Sequence, residues 1–135
     1  MATGTLLGFD YGPRKIGVAV GQTVTATAAP LITLRSRNER PDWPRIEALI
    51  RDWRPDAAVV GLPFNMDDTE TEIAPLARRF ARQIEGRFGL PVHLVDERLT
   101  TIEARQILGR KATSREVVDA MAAKLLLETW LSERH

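Results

Sequence analysis

The sequence predicts an α/β fold built on a mixed sheet of five strands, with helices on both faces. Three strand-like segments come first and are joined by short turns, which favours an antiparallel meander. Two further apolar strands then alternate with helical segments, a pattern typical of parallel βαβ units. The chain of 135 residues has the length of one domain, and we expect a single domain over residues 1–135.

The three strands of the predicted meander are separated by polar and turn-forming residues. The first strand is an apolar run over residues 6–11, and the second covers residues 15–22. Between them, the Gly-Pro-Arg sequence at 12–14 has the chemistry of a tight turn. A third strand is expected over residues 28–34, and residues 36–41 read as a polar loop.

Helical and strand patterns alternate along the rest of the chain. Asp42 is placed to cap a first helix, in which apolar residues recur at helical spacing. Gly89 ends a second helical pattern that begins near Glu70. After the Asp42 cap, the expected elements are a helix ending near 53, a strand over 57–62, a helix over 70–87, a strand over 91–95, a short helix over 102–108 and a last helix that follows Thr113 and ends near 132.

Composition excludes several classes of protein. The chain has no cysteine, which excludes disulfides, thiolate zinc sites and a cysteine nucleophile. No apolar run reaches the roughly 18 residues of a membrane span, and the N-terminal residues lack the pattern of a signal peptide. We therefore expect a cytoplasmic protein with no membrane partner. The net charge of +1 does not by itself indicate a nucleic-acid binder.

Arginine supplies most of the positive charge, since only three of the 19 cationic residues are lysines. The guanidinium group binds phosphate through a bidentate fork, whereas a high arginine content also follows from a GC-rich genome. For any single cluster of arginines, an ordinary solvated face is the simpler interpretation. The clusters are Arg35, Arg37 and Arg40; Arg78, Arg79 and Arg82; and Arg105, Arg110, Lys111 and Arg115.

Three carboxylates lie where the predicted elements allow a shared site. Asp10 is at the end of the first strand, Glu97 follows the fifth strand, and Asp119 lies in the last helix. An acid at the end of a buried strand is costly unless something binds it. Carboxylates from three elements, without a histidine or cysteine cluster, suit Mg²⁺ or Mn²⁺. Two such ions around three carboxylates are typical of enzymes that cleave phosphodiester bonds.

Each of these acids also has an ordinary structural interpretation. Asp10 is also compatible with a turn-forming aspartate that accepts backbone hydrogen bonds. Glu97 suits the start of a helix, where the helix dipole favours an acid. Asp119 has the spacing to pair with Arg115 on an exposed helix face. Asp96 is adjacent to Glu97, and because neighbours on an extended segment point in opposite directions, only one of the two is expected to face the site.

Four motifs follow one another along the chain: GFDYG at residues 8–12 with KIGVA at 15–19, VGLPFNMD at 60–67, DERLTT at 96–101 and VDAMAA at 118–123. In this order they resemble the YqgF/RuvX family over essentially the whole chain. That family is described as Holliday-junction resolvases and as nucleases for the precursor of small-subunit ribosomal RNA. The resemblance implies a ribonuclease H-like fold and nuclease activity. It also implies that Asp10, Glu97 and Asp119 are the metal ligands and catalytic residues.

Four further residues are predicted to contact the substrate. Arg14 and Lys15 follow the first acid in the turn, and Arg98 is adjacent to the second, so these three are the predicted phosphate-binding residues. Asn65 is predicted to hydrogen-bond a sugar or a phosphate, although asparagine is also a common turn residue. The chain departs from the family pattern at Asp68, where glycine is usual.

The leading hypothesis is a metal-dependent endonuclease that acts on structured nucleic acid. By analogy with the family, we expect it to process the 5′ end of the 16S ribosomal RNA precursor. A second hypothesis is a Holliday junction resolvase acting on branched DNA, for which a homodimer would match the two-fold symmetry of the substrate, and a monomer stays equally open. A catalytically silent nucleic-acid-binding module and an ATP-binding module of the actin and sugar-kinase type are also compatible with the sequence.

Overall fold

The computed structural model describes residues 4–63, 71–96 and 115–133, apart from the side chains of residues 115–118. Within these ranges five strands form a sheet in the order β3-β2-β1-β4-β5. This topology confirms the predicted mixed five-stranded sheet. The elements are β1 (Thr5–Tyr11), β2 (Lys15–Gln22), β3 (Thr27–Arg35), α1 (Trp43–Trp53), β4 (Ala57–Leu62), α2 (Ala74–Phe88), β5 (Val92–Asp96) and α3 (Arg115–Ser132).

The pairing of the strands follows the predicted meander and βαβ units. Strand β2 pairs antiparallel with both β1 and β3, whereas β4 pairs parallel with both β1 and β5. Strand β3 lies at an edge and contains Pro30, which lacks a backbone N–H and is tolerated at an edge or a bulge. The β2–β3 register shifts between Val18 and Ala19, so that Leu31 is the extra residue in β3.

Side-chain alternation in β1 divides the core into two layers. Leu7 and Phe9 face α1 and α2, and the Phe9 ring meets Phe80 of α2 edge-on at a centroid distance of 5.5 Å. On the opposite face, Leu6 packs with Leu127 and other buried residues of α3. The helices therefore cover both faces of the sheet, as predicted, with α1 and α2 on one side and α3 on the other.

The predicted start of the second helix was wrong. Helix α2 begins at Ala74, and Thr71 belongs to a turn in which its carbonyl accepts a hydrogen bond from the Ala74 N–H at 3.1 Å. Pro75 occupies the first turn of the helix, where its fixed φ and missing N–H are tolerated. The predicted C-cap is confirmed, since Gly89 follows the helix with a φ of 63°.

The predicted bounds of the strands agree with the structure to within one residue at each end. The predicted short helix over 102–108 and the proposed cap Thr113 lie outside the described residues. His93 of β5 packs on Trp130 of α3, with ring centroids 4.9 Å apart. In the part of the chain that the structure describes, no helix is long and apolar enough to cross a membrane.

Asp42 caps α1, because its carboxylate accepts a hydrogen bond from the Arg45 N–H at 3.2 Å. Replacing Asp42 with Ala is expected to lower the free energy of unfolding by about 1 kcal/mol, measured by urea denaturation. Asp52→Ala is the matched control, because Asp52 is an exposed acid in the same helix. Equal losses of stability in the two variants would contradict the capping role.

Candidate functional site

Asp10 lies near the C-terminal end of β1, on the face of the sheet that α3 covers. Its neighbours Phe9 and Tyr11 belong to the core on the opposite face, so alternation along the strand places Asp10 on the α3 side. Phe9 pairs with Val60, and Gly61 follows Val60 in the neighbouring strand β4. The Asp10 side chain is half-buried, at the point where the sheet ends.

Gly17 is a point of close approach between α3 and the sheet. It is the β2 partner of Asp10, and residues opposed in this way have Cα atoms about 4.5–5.5 Å apart. A Cβ atom built on Gly17 would overlap the backbone carbonyl of Asp119 and lie 3.1 Å from the backbone nitrogen of Ala120. The close approach therefore requires glycine, and it brings the backbone of Asp119 beside the strand pair that holds Asp10.

Small residues on both elements explain why the helix and the sheet come so close. Next to Gly17 in β2, Ala19 is fully buried under α3. On the helix, Ala122 and Ala123 are also fully buried, one turn after Asp119. Asp119 therefore lies beside small residues at a helix–sheet contact. The Asp119 side chain is half-buried, like that of Asp10.

Asp96 lies on the opposite face from Asp10. It pairs with Leu62, a residue of the core that faces α1 and α2. This placement puts Asp96 on the other face from Asp10, and the expectation that only one of Asp96 and Glu97 faces the site stays a prediction. Within the described ranges, no group of three acidic, histidine or cysteine residues is placed to hold a metal ion. The predicted site residues Glu97, Asn65 and Arg98 lie outside those ranges.

Two cationic residues border the face that carries Asp10. Lys15 is two residues before Gly17 in β2 and is therefore on the same face. Its partner across the β2–β3 ladder is Arg35, which sequence reasoning did not include in the site. The antiparallel register of the meander is the signal that identifies it. The predicted residue Arg14 is exposed in the turn, and its carbonyl accepts a hydrogen bond from the Ser36 N–H at 2.8 Å.

Comparison with known proteins places the chain in a family. The family model RuvX, described as Holliday junction resolvase, matches residues 4–133. A protein of Azotobacter vinelandii named "Putative pre-16S rRNA nuclease" is 59% identical over 133 residues, which cover 96% of this chain and 94% of that protein. A protein of Pseudomonas putida with the same name is 54% identical over 131 residues, which cover 93% of each chain.

Solved structures show the same fold at low sequence identity. RuvC of Thermus thermophilus, solved with a Holliday junction substrate, matches with a TM-score of 0.59 and 19% identity, over 96% of this chain and 95% of that one. The fowlpox virus resolvase, solved with Holliday junction DNA, matches with a TM-score of 0.53 and 11% identity, over 96% and 98%. These likenesses confirm the ribonuclease H-like fold. From the match over residues 4–133 and the identity to curated relatives, the chain belongs to the RuvX family, which is a family of nucleases.

Proposed function

We propose that this chain is a metal-dependent endonuclease that processes the 5′ end of the 16S ribosomal RNA precursor in the cytoplasm, as one nuclease domain over residues 1–135. The observation that carries the proposal is the close contact at Gly17, which brings the backbone of Asp119 beside the strand that holds Asp10. The names of relatives at 51–59% identity favour the RNA precursor as the substrate.

The residues present suit a hard divalent cation. Asp10 and Asp119 are oxygen donors, which Mg²⁺ and Mn²⁺ prefer, and the chain has no cysteine to favour a softer metal. Both side chains are half-buried, where a carboxylate gains from a nearby positive charge. Glu97 follows Asp96 in sequence and is our proposed third ligand. Two divalent ions held by these acids would supply Lewis-acid activation of water and neutralise charge on the scissile phosphate.

The chain itself fixes the positions of the acids before substrate binds. The backbone of Asp10 pairs with Gly17 of β2, and the backbone of Asp119 lies against the same glycine. Such preorganisation removes the cost of bringing the charged groups together during the reaction. Lys15 and Arg35 border the same face and are placed to hold substrate phosphates. We also propose the exposed residue Arg14 for this role, together with Arg98 and Asn65.

A second candidate function is cleavage of Holliday junctions. The description of the family model favours it, since that model is the one for Holliday junction resolvase. A resolvase makes two symmetric cuts and would therefore act as a homodimer. The two functions differ in their substrates, so one experiment separates them.

The test offers wild-type protein a labelled fragment of the 16S precursor and a synthetic four-way DNA junction, each with Mn²⁺ or with EDTA. We expect cleavage of the RNA at its 5′ side with Mn²⁺, no cleavage with EDTA, and an intact junction. Symmetric cutting of the junction alone would contradict the RNA assignment and support a dimeric resolvase. If neither substrate is cut, the nuclease proposal itself is wrong.

A further inference from the structure

A cavity of about 580 Å³ lies on the face of the sheet opposite Asp10, between the turn that precedes α1 and helix α2. Its volume is within the range of small-ligand sites, about 300–1,000 Å³. Three arginines line it: Arg40 of the turn, and Arg79 and Arg87 of α2. Glu39 is the acid that lines it, so three positive charges face one negative charge.

The turn that forms one wall of the cavity has a fixed shape. Arg37 and Arg40 exchange two backbone hydrogen bonds, at 3.1 and 2.9 Å. Between them, Asn38 and Glu39 have positive φ values of 52° and 63°, as in a type I′ turn. This left-handed conformation is uncommon for glutamate and is held here by the paired backbone of the flanking arginines. The turn therefore presents Arg40 to the cavity in a defined position.

The guanidinium group of Arg87 is also oriented before any ligand binds. It lies over the ring of Trp43, 4.2 Å from the centroid, and Trp43 in turn stacks on Phe80 at 5.6 Å. Stacking on an aromatic face leaves the N–H donors at the edge of the guanidinium group available. Among the described residues, Arg40, Arg79 and Arg87 form no ion pair with an acid. The cavity therefore combines oriented donors with an excess of positive charge.

Tyr11 connects this cavity to the candidate active site. It follows Asp10 in β1 and lines the cavity from the other face of the strand. Burial raises the pKa of the Tyr11 phenol, and the negative charge of Glu39 raises it further. The positive charge of Arg79 lowers it, but the net effect is a rise. The phenol therefore keeps its proton at neutral pH and is able to donate a hydrogen bond.

A line of arginines leads from the Asp10 face to the cavity. A second cavity of about 440 Å³ adjoins the first and shares Arg40 with it, while Arg35 and Arg37 line its other parts. Arg35 is the residue opposite Lys15 on the Asp10 face. The acid of this second cavity, Asp42, uses its carboxylate to cap α1. The arginines of the first cluster, Arg35, Arg37 and Arg40, thus adjoin Arg79 and Arg87 of α2.

We propose that the cavity of Tyr11, Arg40, Arg79 and Arg87 binds a phosphate group of the nucleic-acid strand that is cut at Asp10. The inference rests on the proposed nuclease function and adds a substrate contact on the other face of the sheet. Guanidinium groups bind phosphate oxygens in pairs of hydrogen bonds, and contacts of this kind position a strand without reading its sequence. A free nucleotide carries the same phosphate chemistry, so the experiment has to separate the two sources.

The test compares two double variants that each remove two exposed arginines. Arg40→Gln with Arg79→Gln changes the cavity, whereas Arg45→Gln with Arg82→Gln changes α1 and α2 outside it. Binding of a labelled 16S precursor fragment is measured by fluorescence anisotropy in EDTA over a range of salt concentrations. We expect at least tenfold weaker binding for the cavity variant relative to the control variant. The slope of the logarithm of its binding constant against the logarithm of the salt concentration should be shallower by about 0.7 for each lost phosphate contact.

Equal RNA affinity in the two double variants would overturn the inference, whatever the nuclease assay shows. Inorganic phosphate and 5′-AMP are titrated in parallel and followed by NMR. Binding of 5′-AMP that needs Arg40 and Arg79, with unchanged RNA affinity, would also overturn it and identify a site for a free nucleotide. Loss of RNA affinity in the cavity variant would support phosphate binding in the cavity, because the measurement is made in EDTA and does not depend on cleavage. If the wild type then cuts neither substrate, the nuclease proposal is wrong, and the cavity is a nucleic-acid contact without cleavage at Asp10.

Discussion

Replacing Asp10 with Asn is expected to reduce RNA cleavage by more than about 100-fold, because loss of residues that only support metal ligands already costs about 10–100-fold. The substitution keeps the shape of the side chain and removes its negative charge, so the proposed metal site would lose a ligand while the fold is kept. In the absence of metal, repulsion between the neighbouring acids also falls. The variant should therefore melt at the same temperature as the wild type or at a higher one.

Single-turnover cleavage of the 16S precursor fragment measures this effect without interference from product release. The matched control is Asp52→Asn, which removes the same charge from an exposed position in α1. We expect the control to cleave as fast as the wild type. If Asp10→Asn also cleaves within about twofold of the wild type, Asp10 is not a catalytic residue.

Among substitutions that add one methyl group to the described sheet, Gly17→Ala is expected to lower the free energy of unfolding the most. The new Cβ would overlap the backbone carbonyl of Asp119, and a helix backbone atom has no rotamer through which to move away. Overpacking of this kind costs about 1–3 kcal/mol, and we expect the upper end of that range. Because α3 has to shift, Asp119 also moves relative to Asp10, and cleavage should fall together with stability.

Gly86→Ala is the control for Gly17→Ala, because a Cβ atom at Gly86 meets no atom within 4 Å. Alanine inside an exposed helix is more favourable than glycine by roughly 0.5–1 kcal/mol, so the control should be slightly more stable than the wild type. Urea denaturation and cleavage assays on both variants measure the difference. If Gly17→Ala is as stable as the wild type, α3 does not approach β2 as closely as the structure places it.

Most of the fold is predictable from the sequence because the relevant signals are local. The alternation of side chains in β1 and the Asp42 cap are encoded within a few residues. The start of α2 was not predictable in the same way, since Ile73 continues the apolar helical period into a turn. The spacing of apolar residues predicts which face of a helix is buried, but it does not predict where the helix begins. The start depends on residues that suit the first turn, such as Pro75.

The arrangement of the candidate site depends on contacts that are distant in sequence. Gly17 and Asp119 lie in β2 and α3, and no local pattern shows that the glycine makes room for that part of the helix. The family resemblance predicts the acids of the site, and the structure supplies the physical reason for the position of α3. Likewise, each arginine cluster resembles an ordinary solvated face, and only the packing of α2 against the turn joins Arg40 with Arg79.

The most direct test of the central claim, that Asp10 and Asp119 hold a divalent cation together, is a Mn²⁺ titration followed by electron paramagnetic resonance. Wild type, Asp10→Asn, Asp119→Asn and the control Asp52→Asn are compared at equal protein concentration. We predict that the control binds Mn²⁺ like the wild type and that each of the other two variants binds at least about tenfold more weakly. If either Asp10→Asn or Asp119→Asn binds Mn²⁺ as tightly as the wild type, the result contradicts a metal site shared by β1 and α3.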